Sequence, residues 1–402
     1  MSVRRRSRLW TTWRLVLAAA TLFASLAFGV ESERVNPVAP DPQFQSELET
    51  WLAEHGKKPE DFVVGLFANH DVVFLGEWHR IKQDPELIQS LLAPLYAAGV
   101  TTLATEFARR EDQALIDSVI TGTEWREDLA RRITFNQSVT WGYQEYVDIY
   151  RAGWAVNRGR AVGTPPFRVL AINDSPDWSL VKKPEDLEDY KVRRKVRRGG
   201  GEKRWARVIL NETKAGRKVL VYSGYHHAFT EYRQPKVAGG QFVGFDESPR
   251  AGNYVFKAIG KRAVTVFLHA PWPGQGGYSD EDVHPADGAL DAFMLNRKDG
   301  PYAVGFSLSD SPFGRLPVRN SVWRHGYGDE FTPARFADGW IYTRPISEYE
   351  GVTPIADWIN ESNVETARQQ VPNPELRALS IENFNAVIAS VADIPRRLSN
   401  LH

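Results

Sequence analysis

The chain contains no cysteine. That absence excludes disulfide staples, thiolate metal ligands, a cysteine nucleophile and a lipid-modified cysteine at an export junction. Net charge is missing too: 50 Lys+Arg stand against 50 Asp+Glu, so no overall field recommends nucleic acid or an anionic membrane surface as a partner. Small-molecule and peptide ligands are left. Ser223 precedes Gly224, but no G-x-S-x-G elbow surrounds it, which weakens the case for a serine nucleophile. The one long apolar run, Leu15 to Val30, lies behind Arg4, Arg5, Arg6, Arg8 and Arg14. It is short for a membrane span, and Ala27-Phe28-Gly29 supplies small residues for cleavage, so residues 1–29 read as a secretory signal peptide. The expectation is an extracytoplasmic protein, periplasmic or secreted, that is not a lipoprotein and keeps no stable membrane span after cleavage.

What is present suits a folded domain. The sequence is 42% hydrophobic and 25% charged, with thirteen Trp and twenty Phe to fill a large core. Residues 30–43 carry prolines and charges without an apolar period and read as an exposed leader. A single domain is expected over 44–402, with its core motifs in 71–232 and an elaborated part in 233–402. Six short apolar runs have the character of buried strands: Asp71 to Gly76, Val100 to Thr105, Phe167 to Ile172, Lys218 to Ser223, Ala263 to Leu268 and Tyr302 to Leu308. Between the first two, Asp84-Pro85-Glu86 reads as a helix start with Asp84 as its cap. Leu87, Ile88, Leu91, Leu92, Leu95 and Tyr96 repeat on one face, and Gly99 closes the segment. Strand, helix, strand at this length makes the second strand parallel to the first. Further helical patterns over Glu111 to Ile120 and Tyr143 to Val156 continue the alternation. The fold class is α/β: a doubly wound, mostly parallel central sheet flanked by helices, with inserted loops and helices. Lys191 to Arg204 holds eight basic residues around Gly199-Gly200-Gly201, and its acidic neighbours mark it as a solvated helix broken by a glycine loop. Trp340 to Pro354 suggests an ordered strand and turn, and Glu375 to Val391 a helix covering the sheet.

In open parallel sheets ligands bind outside the carboxyl ends of the strands, and here those ends are polar. The runs end in Glu77-Trp78-His79, in Glu106, in Asn173-Asp174, in Tyr225-His226-His227 and in His269. Four of the nine histidines sit at these ends, which a random scatter would rarely produce. Glu77, His79, Glu106 and one histidine of the His226-His227 pair are the catalytic candidates; Trp78, Asn173, Asp174 and His269 are candidates for substrate contact. Two chemistries suit the group. Histidine and carboxylate ligands from separate strands could hold a divalent transition metal with an open position for water, or an imidazole beside a carboxylate could activate water directly.

Gly76-Glu77-Trp78-His79, followed by a helix and Thr105-Glu106-Phe107-Ala108-Arg109, resembles the ChaN, Tiki and erythromycin-esterase superfamily. Val221-Tyr222-Ser223-Gly224-Tyr225-His226-His227 looks like its second Gly-x-x-His element, which pairs His227 with His79: the resemblance implies His227 as the catalytic histidine, His79, Glu106 and His227 as the metal set, and His226 as a candidate for substrate contact. Arg110 with Gln113 and Asp117, Trp141 to Tyr150, and Ala171-Ile172-Asn173 are similar to ChaN-like proteins in particular. The resemblance spans Asp71 to Tyr232. It implies the fold derived above and divides on activity: haem binding and iron uptake for ChaN-like proteins, metal-dependent proteolysis for Tiki-like members, ester hydrolysis by a histidine and glutamate set for erythromycin esterases. The chain departs from the ChaN pattern in lacking the lipoprotein cysteine and in its long insertions after Asp174 and beyond Phe242. The leading expectation is a hydrolase of an ester or amide bond, with a haem-binding protein of ChaN type as the alternative and a non-catalytic binding module as the third reading.

Overall fold

Apolar runs of four to eight residues bounded by turns bury both faces when they form strands. Each of the six runs above does so in the computed structural model, which describes residues 37–401 apart from 199, 278–280 and 301. The signal peptide read over 1–29 lies outside the described residues. In chain order the strands are β1 (Val72–Glu77), β2 (Thr102–Arg109), β3 (Arg168–Asn173), β4 (Val219–Gly224), β5 (Pro235–Ala238), β6 (Gln241–Phe245), β7 (Ala263–Leu268), β8 (Trp272–Pro273), β9 (Asp282–Val283), β10 (Val304–Ser307) and β11 (Gly339–Tyr342). Seven of them form one sheet in the order β10-β11-β7-β1-β4-β2-β3. All neighbours are parallel except β10 and β11, which are antiparallel at one edge.

Alternation along the strands divides the core into two faces. Val73 and Leu75 of β1, Leu103 of β2 and Leu220 of β4 join the side chains of helices Gln83–Ala97, Gln113–Thr121, Glu127–Gln137 and Gln144–Gly159. Val72, Phe74, Ala104 and Val219 face the other way, onto helices Pro42–His55, Glu202–Lys214 and Ala251–Ile259. The sheet is covered on both sides, as the doubly wound reading requires. Leu91, Leu92 and Leu95 are almost wholly buried, each such side chain contributing about 1.5–3 kcal/mol of transfer free energy. The C-terminal region closes the first face: Phe384 and Ile388 of helix Ile381–Val391 belong to that core. Edge strand β3 is not left open, because Gln113 accepts from Ala171 N–H at 2.9 Å and donates to the Val169 carbonyl at 3.0 Å.

Two local expectations differ. Helix Pro42–His55 starts inside the stretch read as leader, capped by Asp41, whose carboxylate accepts from the amides of Gln43 and Phe44. Asp84 does not cap its helix, which begins at Gln83. Its carboxyl is instead fully buried inside the first turn with no hydrogen bond of good geometry. Among the described residues no helix is long and apolar enough to cross a membrane.

Candidate active site

β4 lies between β1 and β2, with Glu77 directly opposite Gly224 and Thr105 opposite Tyr222. That register brings both Gly-x-x-His elements and Glu106 to one sheet edge. The two glycines are required by close approach. A Cβ on Gly76 would stand 2.6 Å from the Phe267 ring, and one on Gly224 would stand 2.8 Å from Cε1 of His79 and 3.3 Å from Glu106 Oε1.

Glu77 is fully buried at the end of β1. A buried carboxylate must be saturated with donors, and three reach it. His79 Nδ1–H donates at 2.6 Å, Tyr146 O–H lies 2.8 Å from one oxygen and 3.1 Å from the other, and Tyr222 O–H donates to Oε2. Burial, and then the Glu77 charge, push both phenols well above the ordinary tyrosine range, so they stay protonated and act as donors. Because a carboxylate only accepts, this contact fixes the His79 tautomer and leaves Nε2 on the far side of the ring.

His227 is arranged the same way. It sits on the short helix Tyr225–Ala228, and its Nδ1–H donates to Glu202 at 2.7 Å. The other Glu202 oxygen accepts from Ala251 N–H at 2.8 Å, and Arg250 lies 3.5 Å away. Burial alone would lower the His227 pKa; the carboxylates of Glu202 and then Glu106 outweigh it, so His227 keeps its proton to higher pH than a free imidazole. Burial raises Glu202 in turn, and the His227 imidazolium and Arg250 outweigh it, so Glu202 stays below the usual carboxylate range.

Glu106 stands between the two rings. His227 Nε2 is 3.3 Å from one oxygen, His79 Nε2 is 3.9 Å from the other, and Gly224 N–H donates to that second oxygen at 2.6 Å. Glu106 is buried, while the His79 side chain is 39% exposed, so a small molecule reaches the centre from the His79 side. Phe107 and Trp141 wall that approach, their rings 5.8 and 5.1 Å from the His79 ring.

The other candidates separate. Asn173 donates from its amide to the Glu106 carbonyl at 3.0 Å and thereby supports the strand that carries Glu106. Asp174 is engaged by Arg110 at 2.6 Å and by Gly201 N–H at 2.6 Å, where it anchors the start of helix Glu202–Lys214. His226 turns to Gln234 and stacks on Tyr225; burial and then the positive charge of Arg250 hold its pKa well below the ordinary value. Trp78 packs with Ile81, Ile346 and Tyr349 and borders a small pocket shared with Tyr225 and Phe267. His269 stands in a different, fully buried group: its Nε2 bonds Asp291 at 2.9 Å, and His284 bonds the other Asp291 oxygen at 3.0 Å. Glu202, Tyr146 and Tyr222 were missed. Glu202 had a faint signal, as an acid directly behind the glycine triplet in a basic stretch. Tyr222 lies inside the second motif, where an apolar strand accounts for it without further role.

Residues 63–161 match the family described as haem-binding uptake, Tiki superfamily, ChaN. That segment is ChaN/Tiki-like. The matched segment carries the first Gly-x-x-His element, Glu106, Trp141 and Tyr146, and ends before the second element. Among solved structures, a succinoglycan biosynthesis protein matches with TM-score 0.50 at 10% identity, over 78% of this chain and 98% of that one. A Bacillus cereus protein matches at 0.48 and 10%, over 77% and 99%. ChaN of Campylobacter jejuni, described with cofacial heme binding, matches at 0.33 and 13%, over 52% and 85%. At such identities a structural likeness speaks to fold alone. No curated protein matches the chain.

The two groups that the resemblance implies, a transition metal and haem, can be tested against the residues. Two imidazole Nε2 atoms, each with a carboxylate behind it, and one carboxylate are a suitable donor set for a transition metal. Yet among the described residues no group of three or more such side chains is arranged to hold one. Haem iron needs an accessible imidazole or phenolate on an apolar surface. Four tyrosines at this centre are buried and committed: Tyr146 and Tyr222 to Glu77, Tyr150 to the Phe107 carbonyl, Tyr143 to the Ile388 carbonyl. These phenols are closed to haem iron, whereas the half-exposed His79 imidazole, with Phe107 and Trp141 beside it, presents an accessible nitrogen on an apolar wall.

Proposed function

We propose that the chain is a hydrolase of an ester or amide bond, acting by imidazole and carboxylate chemistry at Glu77, His79, Glu106 and His227. One observation carries this reading: two imidazoles, each with Nδ1 on its own carboxylate, turn Nε2 toward the two oxygens of Glu106. Such pairing divides acid from base. His79, the accessible ring, takes a proton from water as the water oxygen adds to the carbonyl carbon. His227, kept protonated by Glu202 and Glu106, gives its Nε2 proton to the departing oxygen or nitrogen as that bond breaks. Glu106 holds the two rings at their separation, and Glu77 steadies the imidazolium that forms on His79. The basic and apolar N-terminus supports an extracytoplasmic setting for this reaction.

Purified protein screened against activated esters and short peptides tests the reading. Replacing His227 with Ala should lower turnover by about 10²-fold or more with thermal unfolding otherwise preserved. Full activity in that variant, on a substrate the wild type cleaves, would sink the assignment.

A second reading, haem binding, is favoured by the family match over 63–161. Large exposed phenols occur at Tyr190 and Tyr302. A haemin titration following the Soret band, in wild type and in a His79→Ala, His227→Ala double variant, separates the two. Saturable binding that survives in the double variant supports haem at another surface; no saturable binding removes this reading.

A further inference from the structure

Arg80 follows His79 with φ of 77°, the left-handed region where a long side chain is strained and glycine is the ordinary occupant. The strained residue is pinned on both sides: its N–H donates to the Tyr146 hydroxyl at 3.2 Å, and its carbonyl accepts from Val352 N–H at 3.0 Å. Its side chain is fixed as well. The guanidinium lies 4.1 Å over the Trp141 ring, which itself meets the His79 ring, and Nε donates to the Tyr143 hydroxyl at 3.0 Å. The guanidinium makes no ion pair with a carboxylate among the described residues.

A second arginine comes to the same loop from the far end of the chain. Helix Ile394–Arg397 docks on Trp78 and Ile81 through Ile394, Leu398 and Leu401, and the Arg397 guanidinium lies 4.4 Å over the Trp78 ring. One of its N–H groups goes to the Val391 carbonyl at 3.0 Å; it too has no carboxylate ion pair among the described residues. Burial of the guanidinium, and next the positive charge of Arg80, lower its pKa to about 10, with Asp282 opposing them from beyond ion-pair distance. Two guanidinium groups, one over Trp141 beside His79 and the other over Trp78 next to it in the chain, thus come to the loop after β1 with no carboxylate at ion-pair distance among the described residues.

We propose that Arg80 and Arg397 form an anion subsite beside His79 that receives a substrate carboxylate close to the bond being cleaved. The proposal rests on the hydrolase reading of the neighbouring centre and adds to it the substrate class: esters or amides bearing a free carboxylate. It also gives the C-terminal segment a part in specificity.

Calorimetric titration of the full chain with glutarate, and with its uncharged diamide, tests this directly. Glutarate should bind saturably and the diamide at least about tenfold more weakly; Arg80→Gln and Arg397→Gln should each weaken glutarate by about tenfold, the loss of one charge-assisted contact. Arg80→Lys, which keeps the charge, should retain part of the affinity and reports on folding at the strained position. Equal binding of glutarate and diamide, no saturation below about 10 mM, or wild-type affinity in both Gln variants would overturn the subsite. The two readings fail separately. Arginine-dependent glutarate binding without turnover of any ester removes the hydrolase and keeps the subsite. His227-dependent turnover that ignores substrate charge and Arg80 keeps the hydrolase and removes the subsite.

Discussion

Replacing Glu202 with Gln isolates the contact that makes His227 an acid. In the wild type the two Glu202 oxygens serve two donors, His227 Nδ1–H at 2.7 Å and Ala251 N–H at 2.8 Å. Glutamine offers one acceptor oxygen and one amide donor, so either the imidazole or the Ala251 amide goes unsatisfied. Leaving a buried donor unpaired costs about 1–3 kcal/mol, and losing the partner that orients a working imidazole costs about 10- to 100-fold in activity. The pH dependence gives the sharper check. The folded-state pKa of His227 is raised, so its stabilisation is fully present below the unfolded value of about 6.5 and is lost as pH rises through the folded value. The folded-state pKa of Glu202 is lowered, so its stabilisation is present above about 4.3 and is lost as pH falls through the folded value. The pair is thus worth most between these limits. Urea unfolding at about pH 5.5 and about pH 9 should show the variant's deficit shrinking at the higher pH, and NMR titration should show the His227 midpoint moving to lower pH. A deficit equal at both pH values, with an unmoved midpoint, would refute the reasoning.

Three further outcomes follow from the same geometry. Gly224→Ala places a methyl 2.8 Å from His79 Cε1, and because Glu77 holds that ring, the variant should lose about 10²-fold in turnover while Gly159→Ala, with open space around its Cβ, stays near wild type. Tyr222→Phe removes one of three donors from the buried Glu77, so thermal unfolding should report a loss of about 1.5–3 kcal/mol; an unchanged transition would mean the carboxylate is not relying on that phenol. Asp84, raised first by burial and then by the Glu77 charge, holds its proton in the folded state above the pH at which the unfolded chain releases it. The Asp84 contribution to stability should therefore fall as pH rises from about 4, the Asp84→Asn curve should lose less stability than wild type over that rise, and parallel curves for the two proteins would show that Asp84 titrates alike in both states.

Much of this architecture was readable because burial periodicity is a local property. The runs ending at Glu77, Glu106, Asn173, Gly224 and Leu268 are strands whatever their neighbours turn out to be, since each must be covered on both faces, and their polar ends mark one edge once the strands are parallel. Glu77, His79, Glu106 and the His226-His227 pair could be named on that basis, and the resemblance to a second Gly-x-x-His element singled out His227. The tertiary structure decided what each one does. Insertion of β4 between β1 and β2 sets the Gly224 amide on Glu106 and turns His227 toward His79 across residues far apart in sequence. The same packing brings Glu202 from the start of a helix behind His227, closes Tyr146 and Tyr222 on Glu77, and carries Arg397 to the loop after β1. It also draws His269, a further imidazole at a strand end, away to Asp291 and His284. Hydrophobic alternation specifies which residues a segment buries; only the order of strands and the docking of helices specify which charges meet.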